Sequence, residues 1–384
     1  MAGEFRHLEL YSGIGGFRCA LSGVLSNVVS IAIDNNEKAN ETYHYNFNDV
    51  VPKRINIEHL TKDDIEKMEL DLLTLSPPCQ PYTRFGKQLG VSDNRSNSLH
   101  HVISLLSELD SKCLPGYILL ENVVGFENSE CCKAFIEMLL YRKYLFQIFI
   151  LTPTQINIPN TRNRVYILAK REQHHKQTSL HFPLPVECQS MDLKWSQTLE
   201  WKQREQFLYR CVPIHVHMNK TTVTIGETLF LPHTGCTEIQ VGIANEQIEL
   251  PLQLWQQKFA DYRFSIAALD SQNSECFTQH YGVHLKGTGS YFFCGESKLL
   301  RSSLKRTEPL MSANELPLVY AKGKELSQLC GQIRFFSPRE MLCLMGFPTT
   351  YKLPPTLGTR SCYKLIGNSV NVSICKILLK HLLS

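Results

Sequence analysis

Short apolar runs alternate with helix-patterned segments over the first part of the chain. The predicted strands are Phe5–Leu10, Val28–Ile33, Leu70–Leu75, Tyr117–Leu120, Phe146–Leu151 and Val165–Ala169. Between them, apolar residues recur three or four positions apart, for example over Leu99–Leu109 and Cys132–Leu140, which predicts helices. Strands separated by helices predict an α/β fold with a doubly wound parallel sheet.

The alternation stops near residue 172. Glu172–Ser190 is polar and contains two prolines, which predicts a linker. From Met191 to about Lys324, short strand-like pieces such as Thr221–Leu231 and Ser290–Phe293 mix with polar segments. This part of the chain is therefore predicted to form a smaller, irregular domain.

Helical patterns return near the carboxyl end. In Ser337-Pro338-Arg339-Glu340 a serine cap is followed by proline in the first turn and by glutamate three residues later, which predicts a helix start. The chain closes with the apolar, helix-patterned segment Val370–Leu383. The predicted organisation is a main domain over 1–185, a smaller domain over 186–330, and a return segment over 331–384 that completes the main domain.

Composition excludes several classes of protein. Of 384 residues, 43% are hydrophobic and 20% are charged, which is typical of globular proteins. The 14 cysteines are scattered and none forms a Cys-x-x-Cys pair, so neither a disulfide framework nor a zinc ribbon is expected. Without a signal-peptide pattern or an apolar run of about 18 residues, we expect free thiols, a reducing intracellular compartment and no membrane span.

The net charge of +4 is small, but the basic residues are clustered. No acidic residue follows Glu340, whereas Lys352, Arg360, Lys364, Lys376 and Lys380 do. Two further clusters are Lys298, Arg301, Lys305 and Arg306, and Arg162, Arg164, Lys170 and Arg171. Such clusters can bind phosphates, but clustering alone favours ordinary solvated faces.

A glycine turn follows the first predicted strand. Gly13, Ile14 and Gly15 lie between that strand and a helix, where glycine lets the backbone approach a ligand closely. Asp34 ends the next strand, where an acid can accept the hydroxyls of a ribose. The third glycine of the dinucleotide fingerprint is missing, which weakens a nicotinamide interpretation. The turn indicates a nucleoside cofactor, with a purely structural turn as the alternative.

A cysteine and a carboxylate are predicted at one edge of the sheet. Cys79 follows Pro77 and Pro78 at the end of the third strand, and Glu121 ends the fourth. A lone cysteine is usually a small buried hydrophobe, but its place at the strand end and the flanking prolines favour a nucleophile. A thiol and a carboxylate in one cleft suit nucleophilic attack coupled to proton transfer. A cap on the following loop is the alternative for Glu121.

Two arginines precede the last strand of this part. Arg162 and Arg164 are two residues apart on an extended segment, so we expect their side chains to point the same way. Paired guanidinium groups can hold a phosphate or a carboxylate.

These motifs, in this order, resemble the cytosine-5 methyltransferase family. They are the glycine turn, Asp34, Pro77-Pro78-Cys79, Glu121-Asn122-Val123, the two arginines, the segment from Arg334 and Gly367-Asn368-Ser369. Cys276-Phe277-Thr278 resembles the signature of the eukaryotic tRNA(Asp) methyltransferase branch, formerly classed as DNA methyltransferase homologues. The resemblance implies a Rossmann-like methyltransferase sheet, with the smaller domain recognising the target.

The resemblance also implies a cofactor and catalytic roles. The methyl donor is S-adenosyl-L-methionine, and no metal is required. The implied cofactor-binding residues are Gly13, Ile14, Gly15, Asp34, Ile57, Glu58, Asn368 and Ser369. Cys79 is the implied nucleophile, Glu121 acts on ring nitrogen 3 of cytosine, and Arg162 or Arg164 lowers the pKa of the thiol. The sequence departs from the family in having Asn56 where many members have an acid.

The implied substrate is cytosine 38 in the anticodon loop of tRNA(Asp). Arg84, Lys87 and Arg95 lie in a glycine-containing segment after the nucleophile that is expected to close over the target base. Cys276, Phe277 and Thr278 are expected to contact RNA, and a packed core thiol is an equal alternative for Cys276. A monomer with weak DNA binding and no membrane association is implied, in the cytoplasm, with the nucleus as a second location.

Three competing interpretations stay open. A DNA methyltransferase would use the same chemistry. A catalytically silent nucleic-acid-binding homologue would keep the fold, although Cys79, Glu121 and both arginines are present. A nicotinamide oxidoreductase is opposed by the missing third glycine.

Overall fold

The computed structural model describes residues 4–78, 97–171, 208–210, 224–225, 228, 260–295, 300, 319–326, 329 and 332–384. By their contacts, the residues form two compact units. The first comprises Met1–Leu151, Asn163–Val216 and Val372–Ser384, and the second comprises Thr152–Arg162 and His217–Asn371. The chain therefore leaves the first unit twice and returns to it twice.

A mixed sheet forms the centre of the first unit. Within the described residues its strands are β1 (Phe5–Leu10), β2 (Val28–Ile33), β3 (Leu72–Leu75), β4 (Tyr117–Val123), β5 (Tyr144–Leu151), β6 (Arg164–Arg171) and β7 (Leu208–Arg210). Their spatial order is β2-β1-β3-β4-β6-β5-β7, and β1 to β4 run parallel. β3 is buried throughout and β4 over most of its length, as expected of parallel strands that are covered on both faces. The predicted α/β fold is confirmed.

Helices cover this sheet. Those in the described ranges are α1 (Gly16–Ser22), α2 (Glu37–Asn46), α3 (Lys62–Glu66), α4 (Asn97–Glu108), α5 (Glu130–Tyr141) and the final helix, Val372–Leu383. α4 packs against α5, and α1 packs against the final helix. The side chains of Asn36 and Ser129 cap α2 and α5 by accepting backbone N–H groups of the first turn. No helix in the described ranges is long and apolar enough to cross a membrane.

The direction of β6 differs from the predicted parallel sheet. β6 is antiparallel to both of its neighbours, β4 and β5. The segment that joins β5 to β6, Thr152–Arg162, belongs to the second unit and contains only the 3-10 turn Pro153–Ile156. Because a parallel return requires a crossover, usually through an α-helix, and this segment supplies none, the chain reverses direction.

A buried polar group links three of the parallel strands. His7 in β1 has its Nδ1 atom 3.1 Å from Ser30 Oγ in β2 and its Nε2 atom 2.8 Å from Thr74 Oγ1 in β3. All three residues are buried. Burial, with a smaller effect of Arg18, lowers the pKa of His7 to about 3. The imidazole is therefore neutral at neutral pH, and a hydroxyl partner at each ring nitrogen offsets the cost of burying it.

The second unit contains a smaller sheet. Its described strands are β8 (Arg263–Ala267), β9 (Tyr291–Phe293), β10 (Val319–Lys322) and β11 (Ile333–Arg334), in the order β10-β8-β9-β11. Its described helices are α6 (Gly323–Leu326), α7 (Pro338–Leu344) and α8 (Thr359–Gly367), and the final helix of the chain is α9. The predicted helix start is present, because Ser337 and Glu340 form a capping box at α7.

The boundaries of the units differ from the predicted domain boundaries. Residues 331–371 group with the second unit, and only α9 returns to the first. Two contacts explain this grouping. β11 pairs with β9, and the ring of Tyr363 in α8 lies 5.0 Å from the buried ring of Tyr281.

Candidate active site

The glycine turn between β1 and α1 has a left-handed backbone at three positions. The φ angles of Tyr11, Gly13 and Gly15 are 54°, 52° and 80°. A Cβ atom at Gly15 would lie 2.6 Å from the ring of Phe47 and 3.1 Å from that of Tyr43. A Cβ atom at Gly13 would meet no atom closer than 3.9 Å. Packing therefore requires glycine at position 15, whereas Gly13 borders open space.

Asp34, directly after β2, is tied to the glycine turn. Its Oδ2 atom accepts the N–H of Gly13 at 2.9 Å, and its Oδ1 atom accepts the N–H of Asn36 at 2.8 Å. Burial raises the pKa of this carboxyl group above its usual value, and the hydrogen bonds oppose that shift. A carboxylate offers about four acceptor sites, so Asp34 retains capacity for a ribose hydroxyl.

The segment that carries Ile57 and Glu58 lies next to the end of β2. The backbone of Lys53 is hydrogen-bonded to β2 and accepts the N–H of Asp34 at 3.2 Å. Ile57, which is buried, and Glu58, which is exposed, begin a 3-10 turn. Asn56 caps this turn by accepting the N–H of Glu58 at 3.3 Å. The asparagine that departs from the family pattern therefore shapes the turn that presents both predicted residues.

These residues fit a nucleoside cofactor. Ser12 Oγ is buried and has no hydrogen-bond partner among the residues that the structure describes. It lies beside Gly13, where the backbone borders open space, while Ile14 is buried in the core. Buried hydroxyl groups without partners are uncommon in folded proteins, and a bound polar ligand would satisfy this one. The first unit thus brings the glycine turn, Asp34 and the Ile57 turn together.

Asn368 and Ser369 follow α8 in the second unit. Asn368 is exposed, and its Nδ2 atom donates to Gln279 Oε1 at 3.4 Å. Ser369 is buried, and its carbonyl oxygen accepts a hydrogen bond from Arg162. The Gly-Asn-Ser segment is thus held by residues of its own unit.

Glu121 and Arg164 form an ion pair across two strands. Glu121 lies inside β4, which continues to Val123, and not at the predicted strand end. Glu121 is opposite Tyr166 in β6, and Val123 is opposite Arg164. Glu121 and Arg164 are therefore diagonal neighbours on one face of the sheet. Arg164 Nε lies 3.2 Å from Glu121 Oε1, and both side chains are largely buried.

Asn122, the next residue of β4, holds the segment that leads to Cys79. Its Nδ2 atom donates to the carbonyl oxygen of Pro77 at 3.4 Å. One residue earlier, Ser76 Oγ donates to the carbonyl oxygen of Tyr11 at 3.2 Å. The chain leaving β3 is thereby fastened both to β4 and to the glycine turn. Cys79 itself lies outside the described residues.

The two predicted arginines have different partners. Arg162 is buried, and its guanidinium group donates to the carbonyl oxygens of Phe277, Gly367 and Ser369. It joins the segment around Phe277 to the Gly-Asn-Ser segment within the second unit. The predicted common direction rested on an extended strand, but β6 begins only at Arg164, so strand geometry does not extend to Arg162.

The Cys-Phe-Thr segment is only partly accessible. Phe277 is buried, and its ring lies 5.1 Å from that of Phe336. The prediction that Phe277 contacts RNA is therefore corrected, because its ring belongs to the core. Cys276 and Thr278 are half-buried, and Cys276 Sγ lies 3.4 Å from Arg162 Nη1.

Sequence reasoning missed the contacts of Tyr11. Its hydroxyl donates to Ser98 Oγ at 3.0 Å, in the first turn of α4, and its carbonyl accepts from Ser76. Tyr11 therefore connects the glycine turn to both Ser76 and Ser98. The only available signal was its place beside the glycines. The predicted RNA-contacting residues Arg84, Lys87 and Arg95 lie outside the described residues.

Comparison with known proteins extends the likeness over nearly the whole chain. Residues 5–384 match the family described as C-5 cytosine-specific DNA methylase. A protein of Spodoptera frugiperda named tRNA (cytosine(38)-C(5))-methyltransferase is 33% identical over 377 residues, covering 98% of each chain. A protein of Dictyostelium discoideum named DNA (cytosine-5)-methyltransferase is 32% identical and covers 99% of this chain and 95% of its own.

Solved structures agree with this likeness. The crystal structure of the Schizosaccharomyces pombe Dnmt2 methyltransferase superposes with a TM-score of 0.73 at 28% identity, covering 99% of this chain and 98% of that one. The family match and the sequence identity together cover both units. The chain therefore belongs to the C-5 cytosine-specific methylase family, whose methyl donor is S-adenosylmethionine.

Proposed function

We propose that this protein methylates carbon 5 of a cytosine in tRNA, at position 38 in the anticodon loop of tRNA(Asp). The Glu121–Arg164 ion pair, with Asn122 beside it holding Pro77, carries the catalytic part of this proposal. The substrate follows from the name of the S. frugiperda relative, which aligns over 98% of both chains. The Cys276-Phe277-Thr278 signature supports the same branch of the family.

The proposed reaction begins with covalent activation of the base. The thiolate of Cys79 adds to carbon 6 of cytosine, while Glu121 interacts with ring nitrogen 3 so that negative charge does not build up on the ring. Carbon 5 becomes nucleophilic and accepts the methyl group that S-adenosylmethionine supplies. Removal of the carbon 5 proton by a base then expels the Cys79 thiolate and restores the aromatic ring.

The ion pair with Arg164 fixes the position of the Glu121 carboxylate. Arg164 is a diagonal neighbour in the adjacent strand, so it restricts the rotamers of the Glu121 side chain. A carboxylate held on a sheet is better positioned for proton transfer than one on a loop. Asn122 fastens the Pro77 carbonyl from the same strand, which relates the carboxylate to the segment that precedes the nucleophile.

A target in a tRNA loop also suits this chemistry. The base must leave its stack before a thiol can reach carbon 6. Unstacking costs a few kcal/mol and costs least for a base that is already unpaired. A loop cytosine therefore meets the requirement more easily than a cytosine in duplex DNA.

The test is methyl transfer from labelled S-adenosylmethionine to total tRNA and to duplex DNA, with wild-type protein and Cys79→Ala. We expect label in tRNA with the wild type and none with the variant. Nuclease mapping of the labelled tRNA then identifies the nucleotide. Label at a cytosine outside the anticodon loop would contradict the assigned position.

The remaining outcomes separate the competing functions. Transfer mainly to duplex DNA would favour a DNA methyltransferase, the activity that the D. discoideum relative's name states. No transfer to either substrate, with S-adenosylmethionine still bound, would indicate a catalytically silent homologue. A thermal shift with the cofactor measures that binding directly.

A further inference from the structure

One face of α8 carries exposed polar residues four positions apart. Arg360, Lys364 and Asn368 are exposed, whereas Tyr363 and Ile366 are buried. Residues four apart on a helix lie on one face, separated by about 6 Å along the axis. Arg360 and Lys364 in α8 and Asn368 at its C-cap therefore form an inclined row on the exposed face, here called the α8 stripe.

The two cations of the α8 stripe have no acidic partner in the part of the chain that the structure describes. Exposed cations elsewhere do pair, as Arg54 does with Glu37 at 3.1 Å and Lys324 with Asp261 at 3.2 Å. The reason lies in the sequence, because no acidic residue follows Glu340. Among the residues that the structure describes, the positive charge of the stripe is therefore not balanced by a carboxylate, which makes it available to a bound anion.

A second acid-free segment extends the stripe. Asn368 Nδ2 donates to Gln279 Oε1 at 3.4 Å, which joins the end of the stripe to the segment after the Cys-Phe-Thr signature. That segment exposes His280, His284 and Lys286 and contains no acidic residue from position 276 to position 290. The two segments meet at the Asn368–Gln279 contact, and neither contributes an acidic residue to the surface.

Close packing fixes this segment against α8. A Cβ atom at Gly282 would lie 2.5 Å from the ring of Tyr363, and one at Gly367 would collide with the backbone of Thr278. The ring of Tyr281 lies 5.0 Å from that of Tyr363. The surface therefore has a fixed shape and does not depend on flexible tails.

We propose that the α8 stripe, extended through Gln279 and His280, binds the phosphate backbone of the RNA substrate. Cations about 6 Å apart along the helix match successive phosphates of one strand, and the amides of Asn368 and Gln279 can donate to phosphate oxygens or ribose hydroxyls. This inference rests on the proposed function for the identity of the polyanion. In this proposal α8 contacts only the phosphates and riboses of the RNA. It orients the RNA and does not recognise its base sequence.

The position of the stripe within its unit supports this assignment. Asn368 belongs both to the stripe and to the Gly-Asn-Ser segment predicted to bind the cofactor. Gln279 directly follows the Cys276-Phe277-Thr278 signature. A strand lying along the stripe would therefore meet the two segments of this unit that the family resemblance connects with the reaction.

The test compares RNA binding by Arg360→Gln/Lys364→Gln with a control of equal charge change, Lys67→Gln/Lys143→Gln. Lys67 and Lys143 are exposed and precede β3 and β5, at the edge of the first sheet opposite the carboxyl ends of the parallel strands. The dissociation constant for unmodified tRNA is measured between about 0.05 and 0.2 M salt, the range over which phosphate contacts dominate. The KM for tRNA and kcat are measured with the same proteins.

For the stripe variant we expect roughly tenfold weaker tRNA binding and a salt slope that is smaller by about 1.4 to 1.8, the value for two lost phosphate contacts. The KM for tRNA should rise more than kcat falls, and the dissociation constant of S-adenosylmethionine should not change. The control should bind tRNA like the wild type.

Each result decides one claim. Wild-type affinity and slope in the stripe variant would overturn the assigned surface, and so would an equal loss in the control. If the wild type methylates tRNA, the proposed function stands even when one of these two results overturns the assigned surface. If the wild type binds and methylates duplex DNA and not tRNA, the proposed function fails, and the RNA occupant fails with it.

Discussion

Arg164 Nε lies 3.2 Å from Glu121 Oε1 because the two residues are diagonal neighbours in the antiparallel pair of β4 and β6. The contact depends on the reversal of β6. Arg164 is the first residue of β6 and lies opposite Val123, near the end of β4. In a parallel strand the first residue would instead lie near the start of β4, away from Glu121. The antiparallel strand therefore shapes the candidate active site as well as the fold.

Neutralising Glu121 should slow catalysis without loosening the cofactor. We expect Glu121→Gln to lower kcat for methyl transfer by about 10² to 10⁴, the usual contribution of a positioned proton-transfer group. Arg164→Lys should lower kcat less, because lysine keeps the charge but loses the planar guanidinium group. Steady-state kinetics and the binding of S-adenosylmethionine measure both effects. Glu130→Gln, on the exposed start of α5, is the control, and a wild-type kcat in Glu121→Gln would remove Glu121 from the mechanism.

Substitution of Arg162 should lower the stability of the protein more than substitution of Arg164. Arg162→Met removes the guanidinium donor from three carbonyl oxygens, so we expect the free energy of unfolding to fall by about 3 kcal/mol. Urea denaturation measures this change, with the exposed Arg263→Met as the control. Lost activity with unchanged stability would instead support the anion-binding role predicted from the sequence.

Gly13 and Gly15 should respond differently to alanine. At Gly15 the added methyl group collides with Phe47 and Tyr43, so Gly15→Ala should lower the melting temperature of the cofactor-free protein. At Gly13 only the left-handed backbone opposes alanine, at about 1 to 2 kcal/mol. Gly13→Ala should therefore keep more stability and lose more affinity for S-adenosylmethionine, because the methyl group occupies the open space. Thermal melting with and without cofactor tests both, and equal losses of affinity would refute the distinction.

Acid should destabilise the protein partly through His7. Its folded-state pKa of about 3 lies below the unfolded value of about 6.5, so between these values the unfolded chain binds the extra proton. The free energy of unfolding should therefore fall as pH decreases from 6.5 towards 3, by at most about 1.4 kcal/mol per pH unit from this residue. His381, with its pKa lowered to about 4 chiefly by burial, acts in the same direction.

Urea denaturation at pH 7 and pH 4.5 isolates the His7 contribution. His7→Gln should reduce the difference in unfolding free energy between the two pH values, because glutamine does not titrate there. The exposed His59→Gln should leave that difference unchanged. An unchanged difference in His7→Gln would show that the ring is not held neutral.

The local pattern of the chain was enough to predict the first strands and one helix start. Apolar runs placed β1 and β2 at their observed residues, and the capping box at Ser337 marked the start of α7. These features depend on neighbouring residues only, through side-chain periodicity and the unsatisfied N–H groups of a helix start. The order of the motifs identified the family for the same reason, since order is a property of the sequence itself.

Tertiary structure decided where the side chains between those motifs go. Arg162 and Arg164 look equivalent in the sequence, but one binds carbonyls near residues 277 and 369 and the other pairs with Glu121. Phe277 looks like part of a recognition motif, yet its ring is in the core. In each case the deciding partner is distant in sequence, and its position follows from how strands reverse and helices pack. Local periodicity carries no information about such partners, so only the folded structure could assign these roles.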